Sequence, residues 1–134
     1  MTSFNLEIVT PNGQPYSGPA EKILLRTVHG DVTILARHID YVSALGMGEC
    51  RVTLEGGQVR RALCIGGMIV VSDGMVRVIS GTFEWAEEIN VDHAQRHTAI
   101  AEKALATNLS ETDRRAMETK LRKNQLRLKI HGSN

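Results

Sequence analysis

Aromatic side chains make up only 4% of this chain of 134 residues, with a single tryptophan, Trp85. So little ring surface excludes an aromatic platform for stacking sugars or unpaired bases, and a core has to be assembled from Val, Ile, Leu and Met. Cysteine is scarce as well. Cys50 and Cys64 lie within apparent strands, lack CxxC spacing and have no histidine cluster near them, which argues for reduced core thiols over a disulfide or a metal site. No run reaches the roughly 18 apolar residues that a membrane helix needs; the most apolar stretch, IGGMIVVS from Ile65 to Ser72, is interrupted by two glycines. The opening MTSFNLEIVTPNG has neither a basic n-region nor an apolar h-region, so the expectation is a chain that stays where it is made and meets a membrane only through a partner.

What is present changes character near Trp85. Before it, short apolar-alternating segments are separated by glycine-rich turns. Phe4, Leu6 and Ile8 alternate with Asn5, Glu7 and Val9 before Pro11-Asn12-Gly13. Further strands are expected at 20–28, 32–35, 39–45, 50–54, 58–65, 68–72 and 75–80, with turns at Ser17-Gly18-Pro19, His29-Gly30, Gly46-Met47-Gly48, Gly56-Gly57, Gly66-Gly67 and Asp73-Gly74. Many short strands at this spacing predict a sandwich or flattened barrel. Asp73-Gly74 is the strongest hairpin signal, because its turn needs positive φ.

After Trp85 the pattern turns helical. Residues 91–106 are rich in helix formers, with Asn90 or Asp92 as cap, and their apolar face is mostly alanine with Ile100 and Leu105. Thr107-Asn108-Leu109 interrupts, and Ser110 followed by Asp113 resembles a capping box. The second helix, from Glu111 to about Ile130, carries Met117, Leu121 and Leu128 on one stripe with Leu126 and Ile130 beside it. The two should form an antiparallel hairpin. A flat alanine face buries little area, so such a hairpin docks with a surplus of only a few kcal/mol at about 25 cal/mol per Å². It suits an element that can undock; a lid permanently packed in place is the competing reading.

Charge is uneven. Residues 111–130 hold seven Lys/Arg against three acids, a local net of +4, while the chain as a whole is +1 and the remainder therefore −3. A basic helix on an acidic body can dock on that body or on an outside acidic surface. Nucleic-acid binding is disfavoured, since no base-reading motif or interleaved aromatic accompanies the basic helix. A hydrolase or metalloenzyme is disfavoured too, for want of a nucleophile elbow, a ligand triad or supported paired carboxylates. His93 and His97 stand at i and i+4, but without a third ligand they read as surface histidines. His38 likewise lacks companions for a metal. No catalytic residue, metal ligand or cofactor is expected.

The ordered features resemble one family, the epsilon subunit of F-type ATP synthases, whose mitochondrial counterpart is called delta. The resemblance rests on FNLEIVTPNGQPYSG at the start, EKILLRTVHGDVTILARHIDYVSAL from Glu21 to Leu45, Gly66-Gly67 with VVSDGMVRVIS, and TFEWAEEINVDHAQRH. It implies a β + α chain: a ten-stranded β-sandwich over residues 1–86 and an antiparallel α-helical hairpin over 87–134. The implied role is that of a noncatalytic central-stalk rotor subunit. It would couple ion-driven rotation to ATP synthesis through the gamma subunit and the c-subunit ring, on the cytoplasmic side of a bacterial inner membrane.

The resemblance also implies sites. Asp31, Arg37 and His38 match the region that faces the c ring and gamma. Thr33, where many members have glycine, and Ala36, where proline is frequent, depart from the family pattern in the same segment. Arg114, Arg115, Lys120, Arg122, Lys123, Arg127 and Lys129 are candidates for an inhibitory tail that reaches the acidic loops of the alpha/beta catalytic hexamer and blocks ATP hydrolysis. Asp92 and Arg96 are the weak candidates for ATP sensing. In members that bind ATP the arginine sits one position earlier, and a one-residue displacement turns a helical side chain by about 100°. Asp92 therefore reads better as a residue favoured by the helix dipole.

Overall fold

The computed structural model describes residues 2–132. The chain divides into two units, Met1–Trp85 and Ala86–Asn134.

Among the described residues the first unit forms nine strands: β1 Phe4–Thr10, β2 Gly13–Thr27, β3 Gly30–Leu35, β4 Tyr41–Ala44, β5 Met47–Leu54, β6 Val59–Ile65, β7 Met68–Ser72, β8 Met75–Ile79 and β9 Thr82–Trp85. They lie in the order β4-β7-β8-β1-β2-β5-β6-β9, with β3 also on β2. β1 and β8 pair in parallel; the other pairings are antiparallel.

The long β2 joins two layers. Its first half, from Gly13 to Ala20, pairs with β1, and its second half, from Lys22 to Thr27, pairs with β3. A register shift between Ala20 and Lys22 in the β2–β5 ladder marks the bend, the usual device for turning a strand between sheets. Inward side chains of both layers meet in one core: Phe4, Leu6 and Ile8 of β1, Ile23 and Leu25 of β2, Cys50 and Val52 of β5, Ile69 and Val71 of β7, Val76 and Val78 of β8, and Trp85. Trp85 donates its indole N–H to the Pro15 carbonyl (3.3 Å) and stacks edge-on with Phe83 at 4.9 Å.

Two expectations need correction. The flattened barrel is not closed: the path ends at β4 and β9, and the corner beside β4 is stitched by an isolated Thr27–Leu45 bridge with Val28 N–H to Ala44 O (3.0 Å) and Gly46 N–H to Arg26 O (3.0 Å). Nine strands, not the ten expected, are formed among the described residues, and Ser17-Gly18-Pro19, expected as a turn, continues β2. From Gly13 to Pro19 β2 pairs with β1 alone, an edge setting that tolerates proline, so one strand does the work of two. Asp73 and Gly74 do form the tight hairpin, at φ 52° and 76°, with Ser72 opposite Met75.

The second unit holds a short 3-10 turn, Ala86–Glu88, then α1 Val91–Leu105 and α2 Glu111–Gly132. Asn90, not Asp92, caps α1 by accepting from the His93 N–H at 2.9 Å. Ser110 caps α2 by accepting from the Asp113 N–H at 3.2 Å. The two helices pack on each other. Ala94 and Ala101 are buried on α1, and Asn124 and Ile130 on α2, with Met117, Leu121, Leu126 and Leu128 half-buried. Asn124 is absorbed by its own helix, donating to the Lys120 carbonyl at 2.8 Å and accepting from Arg127 at 3.1 Å.

Candidate functional site

The layer built from β4, β7, β8, β1 and the first half of β2 has an outer face whose composition is unusual for a solvated sheet. In β7 and β8 the inward positions, Ile69, Val71, Val76 and Val78, are buried, so the alternate positions point outward. Those are Met68, Val70 and Ser72, and Met75, Arg77 and Ile79. Ladder register aligns them into rows. Ala44 lies opposite Met68 and Met68 opposite Ile79, while Ile79 neighbours Val9 on parallel β1. At the other end Val28 joins Ala44 through its N–H. The result is an apolar row, Val28–Ala44–Met68–Ile79–Val9, across five neighbouring segments. A second row runs Val42–Val70–Arg77–Glu7.

Exposure is high for such residues: Val28 59%, Val42 62%, Met68 40% and Ile79 41%. Scattered apolar side chains on a surface mean little, but a contiguous apolar face marks an interaction site. Arg77 and Glu7 supply the polar part, with Arg77 Nε donating to Glu7 Oε1 at 2.8 Å.

Asp31 and the pair Arg37 and His38 flank β3 at opposite ends. Asp31 pairs in register with Arg26 and bonds its guanidinium at 3.0 Å, both side chains about half-exposed. Four residues of strand, roughly 13 Å, separate Asp31 from Leu35, so it does not form one cluster with the other two. Arg37 takes φ 66° in the turn after β3. The His38 N–H closes that turn on the Leu35 carbonyl at 3.2 Å, and its ring lies edge-on to Tyr41 at 5.8 Å, next to Val42 at the start of β4. Thr33 fits a regular strand opposite Leu24, and Ala36 precedes the turn residue, so neither departure disrupts the segment.

In the second unit the seven candidate cations divide by face. Arg115, Arg122 and Lys129 are exposed, whereas Arg114, Lys120, Lys123 and Arg127 are half-buried. The exposed three recur every seven residues, which puts them on one stripe at intervals of about 10 Å. Arg115 also bonds Glu111 at 3.3 Å. Asp92 and Arg96 are both exposed on α1. His93 and His97 have ring centroids 4.0 Å apart. Partial burial, then the positive charges of Lys120, His93, Arg96 and Arg127, hold His97 below the usual histidine value. Among the described residues no three His, Cys, Asp or Glu side chains gather to hold a metal, and no helix is long and apolar enough to cross a membrane.

Residue-by-residue reading of the sequence did not single out Val28, Val42, Met68, Val70 or Ile79. The signal was there: MIVVS and MVRVI are apolar at both strand phases, although one phase fills the core. Only the register shows that the surplus residues of β4, β7 and β8 line up.

Comparison with known proteins gives the same architecture a family. Residues 3–86 match the beta-sandwich domain of the ATP synthase delta/epsilon chain. The ATP synthase epsilon chain of Ruminococcus albus is 32% identical over 130 residues, covering 97% of both chains. That of Caldanaerobacter subterraneus subsp. tengcongensis is 32% identical over 128 residues, covering 96% of this chain and 93% of the relative. In fold, the chain is similar to one in a Euglena gracilis mitochondrial ATP synthase OSCP/F1/c-ring structure, with TM-score 0.81, 24% identity, and 93% of this chain and 79% of that one covered. A chain in the Tetrahymena thermophila mitochondrial ATP synthase central stalk/c-ring structure matches with TM-score 0.66 and 16% identity, covering 95% of each. A family sandwich domain matched over residues 3–86, and epsilon chains above 30% identity over nearly the whole length, mean that this chain belongs to the ATP synthase delta/epsilon family as an epsilon chain, a noncatalytic subunit.

Proposed function

We propose that the chain is a rotor element of the central stalk, whose sandwich seats on the gamma subunit through the apolar outer face of β4, β7 and β8 and rests on the c-subunit ring. One observation carries this reading: the Val28–Ala44–Met68–Ile79–Val9 row, whose apolar side chains line up by ladder register across neighbouring segments, with Val28, Ala44, Met68 and Ile79 exposed. The family supplies the candidate partners, and the row supplies a surface of the right chemistry. Asp31 borders that face at the β2–β3 turn, while Arg37 and His38 border it at β4, so all three serve as rim contacts to the ring or to gamma. A sheet packed around one core has one dominant state, and that stiffness suits it to carry torque. The chain acts at the cytoplasmic face of a bacterial inner membrane, held there by the complex.

The helical unit adds regulation in this proposal. Its stripe of Arg115, Arg122 and Lys129 presents cations to the acidic loops of the alpha/beta hexamer when the hairpin extends, and ATP hydrolysis stops. Exchanging a 1:99 population for 99:1 requires about 5.5 kcal/mol of differential binding, within reach of several ion pairs formed away from water. ATP sensing by Asp92 and Arg96 forms no part of the proposal, since the arginine is out of step with the ATP-binding pattern.

Two experiments test the two halves. Met68→Glu puts a charge into the row, and retention of the chain on immobilised gamma should drop at least about 100-fold; undiminished retention removes the seating surface. ATPase rates of the complex assembled with the whole chain or with residues 1–88 test the tail. Equal rates would falsify inhibition.

A further inference from the structure

The apolar face carries one charged pair, and that pair is left half-finished. Arg77 Nε donates to Glu7 Oε1 at 2.8 Å, and Arg77 Nη2 reaches only the Met75 sulfur at 3.8 Å, a weak acceptor. Among the described residues the Arg77 Nη1 group and Glu7 Oε2 take no protein partner. The side chains are 48% and 26% exposed, so water completes their bonding in the free subunit. Around them stand Val70, Ile79, Met75 and Val9, through the β7–β8 and β8–β1 registers.

Covering this face with another protein removes that water. A guanidinium stripped of solvent with N–H groups unpaired costs more than the apolar neighbours return, and an ion pair moved into an apolar contact at best breaks even unless its remaining valences are filled. A stable complex over this face therefore needs a partner surface with an acceptor, a carboxylate or a main-chain carbonyl, placed against Arg77 Nη1.

We infer that Arg77, held in place by Glu7, is the specificity determinant of the apolar face: it admits a partner that is apolar except for one hydrogen-bond acceptor opposite the guanidinium. The inference rests on the reading of this face as the gamma seat. Slippage of an apolar partner along the sheet by even one residue pair moves the acceptor off Arg77, so the pair also sets register. Glu7 acts through Arg77 by fixing the fork, and is a positioning residue.

The test measures dissociation constants of purified gamma for the full-length chain and for three variants, with thermal melting monitored for each. Glu7→Leu/Arg77→Met replaces the pair by apolar groups of similar size. Were the pair only a desolvation burden, this variant would bind gamma as tightly as the parent or tighter. The inference expects a loss of about 10- to 100-fold, because gamma's acceptor is then buried unpaired. Arg77→Lys, a milder change at an exposed position, keeps the charge and the pairing with Glu7 but removes the fork, and should lose at least about 10-fold. Parental affinity in either folded variant overturns the inference. Met68→Glu serves as the control: if it binds normally, the face is not the seat and both readings fall. If it abolishes binding while Glu7→Leu/Arg77→Met binds normally, only the role of Arg77 is lost.

Discussion

Gly66 and Gly67 form the β6–β7 turn where the two layers are stitched together, and they offer a sharp contrast. Both have positive φ, 69° and 100°. A Cβ on Gly66 would meet nothing within 4 Å, but one on Gly67 would be driven into the Ile79 carbonyl oxygen and come within 2.8 Å of the Ile79 carbonyl carbon and Ser80 Cα. These are backbone atoms of β8 and its exit, so no rotamer change relieves the clash. The corner is also bonded: Leu45 N–H donates to Gly67 O at 2.9 Å and Gly66 N–H to Gly46 O at 3.1 Å. Gly66→Ala should cost only the left-handed conformation, about 1–2 kcal/mol. Gly67→Ala adds displacement of a packed strand, for a total of about 4 kcal/mol or more, a large share of the 5–15 kcal/mol typical of a domain. At roughly 4–8 °C per kcal/mol for a unit of this size, the first lowers the melting temperature by about 5–15 °C and the second by 20 °C or more. Denaturant unfolding followed by Trp85 fluorescence reads the sandwich directly, because the only tryptophan is in its core. Equal destabilisation by the two substitutions refutes the steric argument, and so does a Gly67→Ala variant that melts like the parent. Since Met68 follows at once, Gly67→Ala should also weaken gamma binding.

Other consequences are simpler to check. Burial pushes the Cys50 and Cys64 thiols up, Cys50 most, so native protein should resist alkylation at pH 8 and react only at its unfolding rate. Partial burial opposes the Glu49 charge, but hydrogen bonds from Arg61 and Arg51, each Nε at 2.6 Å, win and hold its carboxyl below the usual value. The stability it contributes is present above the unfolded value near 4.5 and is lost as pH falls through the lower folded value; Glu49→Gln should flatten that acid limb in melting curves. His97 is also held low, so the helical unit should lose stability as pH falls from 6.5 through the lower folded value, by helix circular dichroism, and His97→Gln should remove the dependence. Asn90→Ala, which deletes the α1 cap, should cost about 1 kcal/mol in the same assay.

Local chemistry told a good deal in advance. The switch from period two to helical period at Trp85, the Asp73-Gly74 hairpin and the Ser110 cap all depend on residues within a few positions of one another. Propensity, alternation and capping act at that range, which is why such features could be read from the string. Ser17-Gly18-Pro19 misled for the same reason. Its residues favour a turn, but pairing with β1 holds them extended, and an edge position spares the proline a missing donor. Of the proposed site residues, Asp31, Arg37 and His38 were named through family resemblance, while the apolar row beside them was not.

The sequence by itself determined the alternation that makes most of the strands, the propensity and caps that make both helices, and which side chains are apolar enough to build a core, though not the extended course of Ser17-Gly18-Pro19. Only the tertiary structure decided that Val9, Val28, Ala44, Met68 and Ile79, drawn from positions 9 to 79, form one row with Arg77 and Glu7 beside it. The physical reason is register. A strand's alternation says which residues share its face, but the hydrogen-bonded partner and the offset between partners are long-range choices, settled by how both layers close over a common core.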